Sequence, residues 1–131
     1  MKTLSIFGAT GSVGTSTLDI IRAFPEKFNV GVLTAHSNWK KLAELAHEFK
    51  PHTVVISDEA YYGDLTNALG EDVNVLAGEG GLIGASEMPC DLYMASIVGI
   101  AGLKPLFAAV KSGHTIALAN KEALVLSLIH I

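Results

Sequence analysis

Seven residues, Gly8-Ala9-Thr10-Gly11-Ser12-Val13-Gly14, constrain this chain more than any others, because of what stands on either side of them. Before them, Thr3 to Phe7 (TLSIF) is an apolar, β-branched run of strand length. After them, Val13, Thr17, Ile20, Ile21 and Phe24 recur at helical spacing until Pro25 stops the pattern. A strand that passes into a helix through glycines brings the helix's free N–H groups and positive dipole end to the turn, which suits an anion. Glycine there also lets a pyrophosphate approach the backbone. The spacing is GxxGxxG rather than GxGxxG, which shifts the turn but keeps the anion site, and Thr10 and Ser12 add hydroxyl donors. Close strand–helix packing alone would also call for glycines; the placement between strand and helix favours a nucleotide.

The rest of the chain repeats the strand–helix alternation. Phe28 to Ala35 (FNVGVLTA), Thr53 to Ser57 (TVVIS), Val73 to Ala77, Asp91 to Val98 (DLYMASIV) and His114 to Ala119 (HTIALA) read as strands. Between them, Asn38 can cap a helix whose Trp39, Leu42, Leu45, Ala46 and Phe49 form one face, ended by Lys50-Pro51. Asp58 can cap another that runs to about Leu69, and Gly78 to Met88 reads as a weak, glycine-broken helix. Leu103, Leu106, Phe107 and Val110 give a last helical face, with Pro105 in the first turn where proline is tolerated. Strands alternating with helices imply a parallel sheet covered on both faces. The expected architecture is one Rossmann-like, doubly wound α/β domain over residues 1–131.

Composition narrows the classes. At 131 residues and 50% hydrophobic, the chain suits one packed domain. A formal charge of −4 leaves no basic surplus to neutralise nucleic-acid phosphates. Cys90 is the sole cysteine, so no intrachain disulfide forms and a reducing, cytoplasmic setting is expected. No run approaches the roughly 20 apolar residues of a membrane span, and the N-terminus lacks a signal-peptide pattern. A mean hydropathy of +0.42 fits strands buried on both faces, or a surface that something else covers.

Two strand ends carry further candidates. Where an NAD-binding domain usually has an acid after the second strand, this chain has Ala35-His36-Ser37-Asn38, with Lys40 and Lys41 close behind. Ser37 and Asn38 can donate to a 2′-phosphate, which favours NADP; Asn38 reads equally as a helix cap. After the last strand, Asn120-Lys121-Glu122 stands at the edge where open α/β sheets bind ligands. Lys121 can pair with a substrate phosphate while Asn120 and Glu122 hold a cofactor, or the three form a helix cap and its solvated first turn. Cys90 has no base beside it and reads as a small buried residue. The histidines at 36, 47, 52, 114 and 130 show no metal-ligand spacing.

GATGSVGTSTLDIIR, TAHSN, MASIVGIAGLKPL and ALANKEALV, in this order over residues 1 to about 125, resemble the N-terminal domain of 1-deoxy-D-xylulose 5-phosphate reductoisomerases. The resemblance implies an NADPH-dependent enzyme of the non-mevalonate isoprenoid pathway. Such an enzyme isomerises 1-deoxy-D-xylulose 5-phosphate and reduces the product to 2-C-methyl-D-erythritol 4-phosphate with a divalent metal, Mg or Mn. It implies that Thr10, Gly11, Ser12 and Val13 hold the cofactor's pyrophosphate region. His36, Ser37 and Asn38 then surround the adenosine ribose and its 2′-phosphate, although the family often has glycine where His36 stands. Asn120 and Glu122 contact NADPH nearer the nicotinamide, and Lys121 contacts the sugar phosphate. It further implies a homodimer, with no nucleic-acid or membrane partner.

The chain also departs from the family. The family's Asp-Ser-Glu metal cluster lies beyond Asn-Lys-Glu, followed by a lid and a helical C-terminal domain, and none of these is present. From Leu126 the sequence LSLIHI no longer follows the family. The expectation is a fragment that binds NADPH without turnover and leaves apolar surface exposed where a partner domain belongs; the alternative is a non-catalytic NADP-sensing module. Two other families share the GATGxxG turn. Aspartate-semialdehyde dehydrogenases need a cysteine where Asn120-Lys121-Glu122 stands. Extended short-chain dehydrogenases need Tyr-x-x-x-Lys, whereas Tyr61, Tyr62 and Tyr93 are followed four residues on by Leu65, Thr66 and Ile97.

Overall fold

The computed structural model describes residues 1–97 and 100–118. It contains β1 (Lys2–Phe7), α1 (Ser12–Ala23), β2 (Phe28–Ala35), α2 (Trp39–Phe49), β3 (Thr53–Ile56), α3 (Tyr62–Leu69), β4 (Asn74–Ala77), α4 (Gly78–Ser86), β5 (Leu92–Ala95), α5 (Leu103–Lys111) and β6 (Ile116–Leu118). All strand pairs are parallel, in the order β4-β3-β2-β1-β5-β6. The chain winds outward from β1 in one direction and then in the other, so the strand order reverses between β1 and β5. In open α/β sheets the carboxyl ends of two such strands are the switch point, the usual place of a ligand crevice. This is the expected doubly wound α/β fold.

Two cores cover the two faces. On one, Leu18 and Ile21 of α1, Leu42 and Leu45 of α2, and Leu65 of α3 pack on Leu4, Ile6, Leu33, Val54, Ile56, Leu92 and Met94. On the other, Leu82 and Ala85 of α4 and Ala109 of α5 pack on Phe7, Val32, Val55 and Tyr93. The Phe7 and Tyr93 rings meet at 4.5 Å between centroids, across the β1–β5 seam. Alternating residues of each buried strand therefore serve opposite cores, which is why the strands read as continuous apolar runs.

In β2 that alternation slips. Leu4 pairs with Val30 but Ser5 with Val32, so Gly31 is an extra residue in the ladder. Val30 and Leu33 consequently face the same core although they stand three positions apart, an odd step that would put them on opposite faces of a regular strand. A Cβ on Gly31 would lie 2.9 Å from Thr3 Cγ2. Glycine is what this bulge accommodates.

Four sequence expectations need correcting at element boundaries. Asp58 caps a short 3₁₀ turn, Glu59–Tyr61, by accepting from Ala60 N at 3.0 Å, and α3 starts only after it. Phe24 is not part of α1 but its C-cap, and is exposed. The fifth strand begins at Leu92 and ends at Ala95, short of the expected Asp91 to Val98, and β6 begins at Ile116 rather than His114. Pro105 does sit in the first turn of α5, but Leu103, Phe107 and Val110 of that helix are exposed.

At the amino-terminal end of the sheet, Arg22 of α1 binds both oxygens of Glu48 on α2, and its Nη1 donates to Asp19 at 2.6 Å. A recess of about 390 Å³ lies beside this pair, lined in part by Ile21, Phe28 and Phe49. The hydrogen bonds from Arg22 hold the Glu48 carboxyl below its usual range. A lowered carboxyl value contributes stability above the unfolded value, and that contribution is lost as pH falls through the folded one. Both side chains are over a third exposed, so the term is small. In urea unfolding, Glu48→Gln is expected to cost less than about 1 kcal/mol near neutral pH, with the difference closing as the carboxyl is protonated. A difference that persists in acid would contradict this account.

Candidate nucleotide site at the glycine turn

The turn after β1 is built around one carbonyl. Gly8 has φ +95°, in the left-handed region that favours glycine. Its oxygen turns back under the start of α1 and accepts from Gly11 N at 3.3 Å. A Cβ on Gly14 would overlap that oxygen and lie 2.7 Å from Ala9 Cα. Both opposing atoms are backbone and cannot swing aside, so the first turn of α1 can rest on Gly8 only because residue 14 has no side chain. One on Gly11, by contrast, would stand 3.6 Å from the same oxygen, an ordinary contact.

Both neighbouring strands hold the turn. From β2, the buried Thr34 accepts from Gly8 N through Oγ1 at 2.9 Å and from Ala9 N through its carbonyl at 2.7 Å. From the end of β5, Ser96 N donates to Phe7 O at 3.0 Å, and Ser96 Oγ donates to Phe7 O at 2.5 Å and lies 3.3 Å from Gly8 O. Thr34 opens the TAHSN segment and Ser96 belongs to MASIVG, so three separate sequence segments meet at the GATG turn.

α1 begins with Gly11 as its N-cap and no side-chain cap. The N–H groups of Ser12, Val13 and Gly14 head the helix and lack an intrahelical carbonyl. Gly11 and Ser12 are exposed and Thr10 is partly buried, and neither hydroxyl is engaged by another described residue. Val13 packs its side chain on the core, so only its backbone can face a ligand. This is an uncapped helix terminus with free donors and a cradle that a Cβ would fill, and it fits a pyrophosphate.

At the end of β2, His36, Ser37 and Asn38 are exposed. The His36 carbonyl accepts from Asp58 N at 2.9 Å, which ties this segment to the end of β3. Asn38 is a helix cap: its Oδ1 accepts from Lys41 N at 3.3 Å, which leaves the amide NH₂ as a donor. Lys40 stands over the Trp39 ring, 5.8 Å from the centroid. The sequence-expected residues 10–13 and 36–38 thus flank one strand end, joined through Thr34. Asn120, Lys121 and Glu122 lie outside the described residues. Leu118, the last described residue before them, pairs with Ala95.

Cys90 is partly buried, and burial pushes its thiol up, away from the reactive thiolate. Among the described residues no three His, Cys, Asp or Glu gather as metal ligands. No helix of the described residues is long and apolar enough to cross a membrane. Sequence reasoning overlooked Thr34 and Ser96, although a signal was present. A hydroxyl at the end of a buried apolar strand needs a partner, and at a strand terminus the nearest is a loop backbone.

The family profile described as 1-deoxy-D-xylulose 5-phosphate reductoisomerase matches residues 4–127. This chain belongs to that family. The match runs to Ser127, slightly past the point where the motif resemblance fades. A reductoisomerase of Rhodopseudomonas palustris is 52% identical over 126 residues, covering 95% of this chain and 31% of the relative. One from a Bradyrhizobium species is 48% identical over the same length. The solved Zymomonas mobilis reductoisomerase in complex with NADPH superposes with a TM-score of 0.87 at 46% identity, covering 95% of this chain and 33% of that one. A reductoisomerase in complex with NADPH, fosmidomycin and magnesium gives 0.85 at 42%, covering 95% and 31%. The chain spans about a third of the length of the curated relatives it matches.

The packing at the turn gives a direct test. Gly14→Ala is expected to cost about 2–3 kcal/mol in denaturant unfolding, because its Cβ meets immovable backbone. Gly63→Ala in α3, where a Cβ meets nothing within 4 Å, is the control and should stabilise by up to about 1 kcal/mol. Equal effects at the two sites would mean that the cradle is not tight.

Proposed function

We propose that this chain is the NADPH-binding portion of a 1-deoxy-D-xylulose 5-phosphate reductoisomerase. The observation that carries the reading is the meeting of GATG, TAHSN and MASIVG at one hydrogen-bonded turn, in front of an uncapped helix. In this reading the backbone N–H groups of Ser12 and Val13, with the hydroxyls of Thr10 and Ser12 and the open approach at Gly11, receive the pyrophosphate. Ser37 and the Asn38 amide donate to the 2′-phosphate, and His36 borders the adenosine ribose. Asn120 and Glu122 serve the nicotinamide side and Lys121 the sugar-phosphate substrate. The bound dinucleotide supplies a hydride; the chain's part is to hold it at the β1–β5 crevice.

The remaining steps of the family's reaction belong, in this reading, to polypeptide beyond this segment. Residues 123–131 contain no acid, so the carboxylate cluster expected for Mg or Mn is not in this sequence. The relatives are about three times as long. The exposed Leu103, Phe107 and Val110 on one side of α5 then form the face against which the rest of a full-length reductoisomerase packs. A homodimer of that full-length protein, in the cytoplasm, completes the proposal.

Calorimetric titration of the 131-residue chain with NADPH and then NADH tests the cofactor site. The expected outcome is NADPH binding at least about tenfold tighter, about 1.4 kcal/mol, because NADH lacks the group that Ser37 and Asn38 receive. Equal affinities would remove that assignment, and no binding by a folded chain would remove the nucleotide site itself. The same polypeptide, supplied with NADPH, magnesium and 1-deoxy-D-xylulose 5-phosphate, is expected to show no turnover. Measurable NADPH oxidation dependent on the sugar phosphate would refute that part.

A further inference from the structure

We infer that Ser96 is a positioning residue for the dinucleotide: its hydroxyl keeps the Gly8 carbonyl turned inward, so that donors alone face the phosphates. The inference rests on the nucleotide reading above and adds to it a residue outside the binding set.

Gly8 is the freest residue of the turn. With φ at +95° and no side chain, the peptide that follows it has little local reason to keep one orientation. That orientation matters electrostatically. Its oxygen now points toward Gly11 and Gly14, beneath the helix start. Turned outward, the same oxygen would present partial negative charge to a pyrophosphate and take up space where the helix N–H groups receive it.

Few groups hold it. Gly11 N donates to it at 3.3 Å, a long bond made within the turn itself. Ser96 is the contact from outside: its Oγ hydrogen serves Phe7 O at 2.5 Å with Gly8 O at 3.3 Å, two consecutive carbonyls reached by one hydroxyl. A Cβ on Gly8 would stand 2.8 Å from Ser96 Oγ, so the hydroxyl packs directly on the Gly8 backbone. Thr34 holds the same peptide by its other end, accepting from Ala9 N at 2.7 Å, and Ser96 is the side chain that meets its oxygen end.

The fold has a separate hold on the same place. Ser96 N donates to Phe7 O and extends the β1–β5 ladder whatever the side chain is. Removing the hydroxyl therefore leaves the strand pairing intact and loosens the oxygen end of the Gly8 peptide, which then rests on Gly11 N and on the Ala9 N–Thr34 O bond. The consequence falls on ligand affinity more than on stability, and on the phosphate end of the ligand more than on the adenosine end.

The experiment compares the 131-residue chain with Ser96→Ala and Ser96→Cys, the latter nearly isosteric with a weaker donor. NADPH affinity is read by calorimetry, affinity for adenosine 2′-monophosphate by NMR titration, and melting temperature by circular dichroism. Adenosine 2′-monophosphate carries the 2′-phosphate but no pyrophosphate. Ser96→Ala is expected to weaken NADPH about three- to tenfold, the size of one hydrogen bond. Ser96→Cys falls between it and wild type, and adenosine 2′-monophosphate binds all three chains alike. NADPH affinity unchanged in Ser96→Ala overturns the inference, as does an equal loss for both ligands, which would mark a general loosening. If Ser96→Ala does not fold, Ser96→Cys decides by the same comparison of ligands. Wild-type chain that is folded and binds no NADPH overturns the nucleotide reading first and this inference with it.

Discussion

The close approach of α1 to the Gly8 carbonyl fixes the geometry on which the rest of the site depends. A helix that follows a strand after four residues must start almost on top of the strand's last peptide. Here it does so with Gly14 directly over Gly8 O and Ala9 Cα, where a Cβ would not fit. That contact sets where α1 begins. Leu18 and Ile21, one and two turns on, then meet Leu4, Ile6 and Leu33 on the sheet face. The direction of the helix, and so the aim of its free N–H groups, is decided jointly by a missing methyl at one end and apolar packing along its length. Thr34 and Ser96 add hydrogen bonds from the two flanking strands, so the turn is held by tertiary contacts as well as by its own glycines.

Much of this was legible because the signals are local. A strand-length apolar run, a glycine turn and a helical period in direct succession specify a βα unit, and its repetition specifies a parallel sheet. Asn38 was legible as a cap because capping needs only the residue and its position. What the sequence hid is non-local. FNVGVLTA reads as one uninterrupted strand, and nothing in it announces that Gly31 is an extra residue against β1. Asp58 caps a turn that the helical pattern cannot distinguish from a first turn of helix. The partners of Thr34 and Ser96 lie 26 and 89 residues away, beyond any periodicity. Asn120, Lys121 and Glu122 were legible as a motif, but their placement lies outside the described residues.

The two ends of the sheet handle charge differently. At the amino-terminal end Arg22 is matched by Glu48 and Asp19 in an exposed ion-pair cluster beside the recess. At the glycine turn, on the carboxyl end, the described groups available to an anion are N–H groups and hydroxyls, with the Asn38 amide, Lys40 and Lys41 after β2. The donors of the turn sit on backbone or on short side chains already fixed by packing, and need little ordering when a phosphate arrives. A chain with net charge −4 has no general field to attract a dinucleotide. Its selectivity must come from aimed dipoles at short range. For that reason the orientation of a single carbonyl at Gly8 has weight: among the few dipoles of the turn itself, one inverted peptide is a large fraction of the local field.

Burial is uneven across the same seam. From β1 toward β4 the strands are packed against α1, α2 and α3 on one face and α4 on the other. Toward β6 the cover thins: Ile100, Leu103, Phe107, Val110 and Leu118 are exposed. Apolar groups left in water favour a second body that covers them, and curated relatives three times as long have the polypeptide to do so. The end of β2, by contrast, rests on the packed α1–α3 face. In the proposed binding mode the phosphates and the adenosine are received on that packed side, away from the exposed apolar residues of α5.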